Sequence, residues 1–473
     1  MENLSKKLKL NLLLYLCISV IGAAFLLLAP NAAFSIPVFV IIQFVILYDI
    51  VPKKKPLLMF IPIFILSLNS FISANTIWRA PNFALVLFLY SFMCVWMIYG
   101  FSFKEKSTRI FTKMVENIIV EPFAVFHLPF KWTGEANKTN AKKIRRVLLG
   151  LAISIPCLIF LLFMLASADQ IFQRGVSNFL NNFFYIINLR LLFRVIVGII
   201  IGFYLFGLIC SLYRTRANVN IESKSKRGDL IILNILLISI LAIYTIFVAI
   251  QFRYLFAGAE NLPYGLNFAT YARRGFFELL ALTGLNILLI LLTVNLTKEQ
   301  TGKWAKITKI LLCYLCAVTV ILLISSFYRM WLYNADYGLT RLRFLVFGFL
   351  IFEAIGLVVT FFYIIKPKFK IIPVYLTIGL AYYLLLNLVP MDSIIARDQI
   401  DRYFNHDGRG VPYTLTLSPD AMPQITRLFE SENAETRQMA HTYLSNMQTR
   451  YHSLPQGWRQ WNLAIERLLR IRG

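Results

Sequence analysis

The stretch Leu230–Phe252 reads LIILNILLISILAIYTIFVAIQF and contains no charged residue over its 23 positions. A helix needs about 20 mostly apolar residues to cross the hydrocarbon core of a bilayer, so this stretch predicts a transmembrane helix. The whole chain shares this bias. Of its 473 residues, 58% are hydrophobic and 15% are charged, and the mean hydropathy is +0.67. A soluble domain is about 25% charged. The composition therefore excludes a soluble enzyme, a disordered scaffold and a disulfide-built secreted domain.

Ten further stretches have a comparable length and apolar character, and the sequence therefore predicts about 11 spans. The ten are Leu10–Leu28, Phe34–Ile50, Leu57–Ser73, Phe83–Phe101, Val147–Ala166, Leu191–Leu212, Phe276–Leu296, Ile307–Phe327, Phe344–Ile365 and Ile371–Pro390. A cleaved signal peptide is the alternative for the first, because basic residues precede it and small residues follow it. We predict an all-α, polytopic transmembrane helix bundle with a C-terminal soluble helical domain.

The distribution of lysine predicts the orientation of the bundle. If the N-terminus is cytoplasmic, all 22 Lys residues fall in segments on the cytoplasmic side, as the positive-inside rule requires. The tail then lies outside the cytoplasm, and we predict a multi-pass protein of the cell membrane. Most of the net charge of +25 becomes a cytoplasmic rim that faces anionic lipid. The lipid bilayer is thus a predicted partner and nucleic acid is not, because the aromatic residues lie in spans.

Changes in composition along the chain predict four parts. Residues 1–101 contain the first four spans, and residues 102–146 form a basic cytoplasmic loop. Within that loop, Ile118–Phe130 is too short to span and is predicted to lie at the membrane interface. Residues 147–390 form a seven-helix bundle, and residues 391–473 form an extracytoplasmic helical tail.

Three helices are predicted in the tail. Ser418-Pro419-Asp420 has the hydroxyl, proline and acid typical of a helix start, and Asn433 can cap a second helix that reaches about Tyr451. A third helix is predicted from Gly457 to Ile471. We expect these helices to pack on one another, and the alternative is that the third lies on the membrane surface.

No cofactor or metal site is predicted. The six Cys residues all lie in spans, and Cys313 and Cys316 are interpreted as small apolar side chains despite their redox-type spacing. The four His residues are scattered, and no phosphate-binding Gly-rich loop, zinc-protease helix or serine-hydrolase motif occurs.

Glu353 is an ionisable residue near the middle of a predicted span. Buried charges in a membrane are costly and often mark a proton or ion path. The alternative is that a neutral, protonated Glu353 makes a structural hydrogen bond between helices.

The predicted outer face combines arginine with tyrosine, a composition that recognises phosphate, carboxylate or sugar. The candidate ligand-binding residues are Arg253, Arg273, Arg274, Arg341, Arg343 and Tyr337, with Asp169, Glu278, Asp336 and Arg397 as supports. The alternative is structural: Arg274 and Glu278 have the spacing of a helical ion pair. In that case the outer arginines tie loops together by pairing with acids such as Asp336 and Asp401.

The same stretches carry a family resemblance. They are Ala168–Phe172, Gln251–Phe256, Tyr271–Glu278, Leu332–Arg343, Ile395–Arg397 and Leu417–Ala421. Over about residues 165–425 the chain resembles the bacterial multipass proteins grouped as domain of unknown function 4173, which is related to group 4153. It departs from that pattern at Gln170, where proline is expected, and at Ala257, where glycine is expected. The resemblance implies an integral membrane protein of unknown activity.

Three functions are compatible with these observations. The first is a non-enzymatic protein of the bacterial envelope, whose outer Arg/Tyr platform binds an anionic lipid, a polymer or an envelope protein. The second is a transporter or lipid translocase with Glu353 in its path. The third is a ligase-like enzyme that holds a lipid-linked diphosphate with outer arginines. The sequence does not predict an oligomeric state.

Overall fold

The computed structural model describes residues 4–29, 31–99, 118, 120–135, 154, 189–213, 229–255, 276–297, 301–366, 369, 371–405, 411–454 and 457–471. All regular secondary structure within these ranges is helical, and they contain no strand. This confirms the predicted all-α class. The contacts divide the chain into two compact units, which are described separately. The predicted division into four parts stays a prediction.

Unit 1 comprises residues 1–72, 77–217 and 455–462. Its helices are α1 (Lys6–Gly22), α2 (Ser35–Ile50), α3 (Phe60–Ile72), α4 (Arg79–Tyr99), α5 (Glu121–Ala124), α6 (Leu128–Glu135) and α7 (Leu189–Cys210). A π-helical turn, Ala23–Leu27, extends α1. Short 3₁₀ helices occur at Lys55–Met59, Thr76–Trp78, Ser211–Tyr213 and Trp458–Gln460.

Small residues allow α1 and α7 to approach closely in unit 1. A Cβ added to Gly198 would lie 2.8 Å from Ala24 Cβ, and one added to Gly202 would lie 2.4 Å from Val20 Cγ2. These glycines are four positions apart, the spacing that brings helix backbones together in membranes. In the predicted interfacial segment, α5 packs on α7, and Phe123 lies against Tyr204 with ring centroids 6.3 Å apart.

Unit 2 comprises residues 73–76, 218–454 and 463–473. Its long helices are α8 (Leu230–Leu255), α9 (Phe276–Thr297), α10 (Lys303–Tyr337), α11 (Arg341–Ile365), α12 (Ile371–Leu388), α13 (Met391–Asn405) and α16 (Ala434–His452). Shorter helices are α14 (Val411–Thr414), α15 (Met422–Ile425) and α17 (Leu463–Arg470), with 3₁₀ helices at Pro419–Ala421 and Thr426–Glu430. The five helices from α8 through α12 share a hydrophobic core, which consists mainly of buried Leu, Ile and Val residues.

Within the described residues, nine helices are long and apolar enough to cross a membrane, and α2 is a shorter apolar helix. Together they account for ten of the predicted spans, and the remaining one, Val147–Ala166, lies almost entirely outside the described residues. The helix α10 continues to Tyr337, whereas its span was predicted to end at Phe327. No glycine or proline occurs between Phe327 and Gly338, so nothing in the sequence stops the helix earlier.

The tail differs in detail from its prediction. The helix α13 was not predicted. A helical run does begin after Ser418, as predicted, with a 3₁₀ helix, Pro419–Ala421, that continues into α15. Asn433 does cap α16, since its Oδ1 accepts hydrogen bonds from the backbone N–H groups of Glu435 and Thr436. The predicted third helix is two separate pieces. Its α-helical part, α17, contacts α16 in unit 2.

Candidate functional site

The turn between α10 and α11 lies within the predicted Arg/Tyr face. It consists of Gly338, Leu339 and Thr340. Gly338 adopts φ +68°, the left-handed conformation that favours glycine, and this ends α10. Thr340 then begins α11, because its side chain accepts a hydrogen bond from the backbone N–H of Arg343 at 3.4 Å.

Side chains of α13 hold this turn by hydrogen bonds to the backbone of the turn. Asp398 Oδ2 accepts from the Leu339 N–H at 2.7 Å, and Gln399 Nε2 donates to the Leu339 carbonyl at 2.7 Å. Arg402 Nη1 donates to the carbonyl of Ala335 in the last turn of α10 at 2.7 Å. Both polar groups of Leu339 are thereby satisfied, which fixes the turn against α13.

Arg341 is committed to a partner that the sequence did not suggest. Its Nε lies 2.8 Å from Asp392 Oδ1, and its Nη2 lies 2.6 Å from Asp392 Oδ2. The Asp392 side chain is fully buried and also accepts a hydrogen bond from the Ser418 N–H at 2.9 Å. Burial raises the pKa of Asp392, but the hydrogen bonds from Arg341 and Ser418 outweigh it and hold the pKa below 3.8.

Arg343 is also engaged within unit 2. It is buried, its guanidinium lies 4.1 Å from the ring centroid of Tyr333 and 5.6 Å from that of Tyr337, and its Nη1 donates to the Gly338 carbonyl. A guanidinium that lies over aromatic rings and is bonded to the backbone stabilises the turn. Arg341 and Arg343 thus make contacts within unit 2, and their predicted role in ligand binding stays a prediction.

A second carboxylate, that of the partly buried Asp420, binds a segment that precedes α4. Asp420 accepts hydrogen bonds from Ser73 Oγ at 2.9 Å, from the Ala74 N–H at 3.1 Å and from Ser418 Oγ at 2.8 Å. Burial raises the pKa of Asp420 above 3.8, although these hydrogen bonds oppose the effect. Asp420 therefore joins residues 73–76 to the tail within unit 2.

The opposite face of α13 is exposed. It presents Ile394, Arg397, Asp401 and Phe404, which lie three or four positions apart and so share one side of the helix. Arg397 Nε lies 3.7 Å from Asp401 Oδ2, and Arg427 Nη2 lies 2.7 Å from Asp401 Oδ1. The Arg427 guanidinium also lies 5.9 Å from the Phe404 ring centroid. We call these five residues the α13 stripe.

The remaining predicted residues are placed as follows. Tyr337, Asp336 and Glu278 are exposed, the first two in the last turn of α10 and Glu278 in the first turn of α9. Arg253 belongs to α8, and its side chain is not described. Asp169, Arg273 and Arg274 lie outside the described residues. Glu353 is buried in α11 and hydrogen-bonded to Thr283. Within the described part of the chain, no group of three or more His, Cys, Asp or Glu residues is placed to hold a metal.

The sequence prediction missed Asp392, Asp398, Gln399 and Arg427. A usable signal was the four-residue spacing that links Met391 to Ile395 and Ala396 to Ile400, among acids and arginines directly after Pro390, which indicates an amphipathic helix. That pattern would have placed Asp392 and Gln399 on the buried face, together with the two isoleucines.

The profile of the family described as Domain of unknown function (DUF4153) matches residues 60–428. The chain belongs to this family. The predicted family, 4173, is related but different, and the match begins about a hundred residues before the predicted resemblance. No curated protein and no solved structure matches the chain. Membership in this family together with the apolar helices identifies a membrane protein whose activity is uncharacterised.

Proposed function

We propose that this protein is a non-enzymatic membrane protein that binds an anionic polymer through the α13 stripe of its tail. The observation that carries the proposal is that two guanidinium groups, from Arg397 and Arg427, share the single carboxylate of Asp401. One positive charge is left over on an exposed surface. An arginine fork suits phosphate and carboxylate groups, which are the usual charges of anionic polymers.

The composition of the stripe supports a binding surface. The Arg397 side chain is 72% exposed, and Phe404 is exposed beside Arg427. Arginine and aromatic residues are enriched in protein interfaces, where the aromatic ring supplies apolar area and the guanidinium supplies direction. The stripe therefore offers a guanidinium charge beside exposed apolar area on one surface.

The support beneath the stripe is rigid. The buried Asp392 and Gln399 and the partly exposed Asp398 make hydrogen bonds that fix α13 to the start of α11 and to the α10–α11 turn. A pre-positioned helix loses less conformational entropy on binding. In this proposal Arg341 and Arg343 stabilise the α10–α11 turn and its attachment to α13, and Arg397 and Arg427 contact the ligand.

The test uses the full chain in nanodiscs of uncharged lipid, titrated with fluorescent polyphosphate or polyglutamate and followed by anisotropy. We expect Arg397→Ala and Arg427→Ala each to weaken binding about three- to tenfold, and added salt to weaken it further. Arg450→Ala is the matched control, since Arg450 is an exposed arginine on α16 outside the stripe.

Equal polymer affinity in Arg397→Ala, Arg427→Ala and the parent protein would contradict the proposal. Binding that requires anionic lipid in the nanodisc, with no response to either soluble polymer, would instead assign the stripe to a lipid surface. The transporter and the ligase-like enzyme stay predictions.

A further inference from the structure

A cluster of buried polar side chains crosses the apolar core of unit 2. Its members come from four helices, α8 to α11, and are Tyr244, Thr283, Asn286, Thr319 and Glu353. The Tyr244 hydroxyl donates to Asn286 Oδ1 at 2.8 Å, and Asn286 Nδ2 donates to Thr319 Oγ1 at 3.1 Å. Buried polar groups in membrane helices need such partners, because lipid offers none.

Glu353 is the acid in this cluster. It is the thirteenth of the 25 residues of α11, and it is 4% exposed. Among the described residues, no Lys, Arg or His forms an ion pair with it. An ionised carboxylate at such a position lacks the compensation that buried charges require.

The hydrogen bonds around Thr283 indicate which form of Glu353 fits. Thr283 Oγ1 lies 2.8 Å from the Leu280 carbonyl and 2.8 Å from Glu353 Oε2. A hydroxyl carries one proton, so it cannot donate to both acceptors at full strength. If Glu353 is protonated, it donates to Thr283, and Thr283 donates to Leu280. Each of these two contacts of Thr283 then has one donor and one acceptor in the same geometry.

The other oxygen of Glu353 faces a glycine. A Cβ added to Gly284 would lie 3.5 Å from Glu353 Oε1, and no other described atom outside its own helix backbone and chain neighbours would lie within 4 Å. The absent side chain leaves space beside the carboxyl group. The group therefore has room to adjust when its proton leaves, and Thr283 can turn toward it.

The surrounding titratable groups supply no opposing charge. On α9 the ionisable residue is Glu278, five positions before Thr283 and exposed. On α12 the Tyr375 hydroxyl donates to the Gly356 carbonyl at 2.7 Å, and α10 contributes the buried thiol of Cys316. On α11 itself, Arg343 and Tyr363 are ten positions away on either side, about 15 Å along the axis.

We propose that Glu353 is a reversible proton-binding site within the bundle. The neutral acid donates to Thr283 in the resting state, and loss of the proton turns the Thr283 hydroxyl from Leu280 to the carboxylate. This site goes beyond binding at the tail and does not depend on it, because none of its residues belongs to the α13 stripe.

The test is infrared difference spectroscopy of the full chain in lipid vesicles, between about pH 6 and about pH 10, where ordinary carboxyl groups are already ionised. We expect a protonated carboxyl band that disappears at high pH and is absent from Glu353→Gln. Thr283→Val removes a hydrogen bond from both forms of Glu353, but the charge-assisted bond to the anion is the stronger, so the midpoint should move up by roughly one pH unit.

Two results would overturn the proposal. A band that Glu353→Gln does not remove belongs to another residue. Glu353 would then contribute no protonated band and would be ionised throughout the pH range. A Glu353 band that persists at every pH indicates a fixed structural hydrogen bond. If Glu353→Gln fails to give a monodisperse protein, Glu353→Asp replaces it, because the shorter acid must shift the band of a correctly assigned carboxyl group.

Discussion

Arg341 binds the fully buried Asp392 through two parallel hydrogen bonds, from Nε at 2.8 Å and from Nη2 at 2.6 Å. Arg341 is the first residue of α11, and Asp392 lies in the first turn of α13. The Ser418 N–H joins the same carboxylate, so one acid connects a long apolar helix to two segments of the tail. The two N–H groups of the Arg341 guanidinium therefore hold α11 against α13.

Asp392→Ala should destabilise unit 2 by about 2–4 kcal/mol, because removing one partner of a buried pair leaves Arg341 and the Ser418 N–H unsatisfied. Hydrogen exchange of the α13 amides, measured by mass spectrometry on the full chain, reports the loss. Asp401→Ala is the control, since its pairs are exposed and should contribute under about 1 kcal/mol. Equal protection in the two variants would contradict a stabilising role for the buried pair.

The stability of the tail should depend on pH through two carboxyl groups whose folded-state pKa values are shifted in opposite directions. The folded-state pKa of Asp392 is lowered, so its contribution is present above pH 3.8 and is lost as the pH falls through the folded pKa. The folded-state pKa of Asp420 is raised, so its ionisation disfavours the folded state, and acidification toward pH 3.8 removes that cost.

The measurement is the difference in α13 exchange protection between the parent protein and each variant across acidic pH. For Asp392→Asn the difference should stay constant down to about pH 4 and then shrink. For Asp420→Asn the parent protein should gain relative stability as the pH falls toward 3.8. If the difference for Asp392→Asn shrinks already near neutral pH, either the folded-state pKa of Asp392 is not lowered or another group controls the pH dependence.

The sequence predicted the apolar helices well because their signal is long and uniform. The bounds of α8 and α9 differ from the predicted spans by three residues or fewer. The end of α10 was predicted less well, since the polar residues after Phe327 resemble a loop although no residue there breaks a helix. Hydropathy reports the environment of a segment, and helix termination requires glycine, proline or a cap.

The candidate site was harder to predict, because composition does not reveal pairing. The sequence predicted Arg341 as a ligand-binding residue and Arg397 as a support, yet Arg341 is bonded to a buried acid and Arg397 is 72% exposed. Asp392 lies 51 positions from Arg341, and no local spacing rule reaches that far. The prediction of structural pairing had the right kind of contact for Arg341 but not the partner.

Gly338→Ala should destabilise the α10–α11 turn by about 1–3 kcal/mol. Alanine disfavours φ +68°, and its Cβ would lie 2.6 Å from Gln399 Nε2, which holds the turn. Gly302→Ala is the matched control, because φ there is +106° with no described atom within 4 Å of an added Cβ. It tests backbone strain without the steric contact.

Exchange protection of α13 is again the readout for these two variants. Gly338→Ala should lower it, since the contact with Gln399 transmits the change, whereas Gly302→Ala should leave it unchanged. Equal losses in both variants would mean that backbone strain alone decides the cost and that the contact with Gln399 adds nothing.

Gly202→Leu should separate α1 from α7 in unit 1. Even a Cβ at this position would lie 2.8 Å from the backbone Cα of Val20, and a backbone atom cannot move aside as a side-chain end can. Helix association in membranes depends on such close packing, so we expect a loss of about 2 kcal/mol or more. Thermal unfolding in detergent measures this, with Gly379→Leu as the control, because an added Cβ at Gly379 has no described atom within 4 Å. If both leucine variants unfold at the same temperature as the parent protein, α1 and α7 do not pack through this glycine.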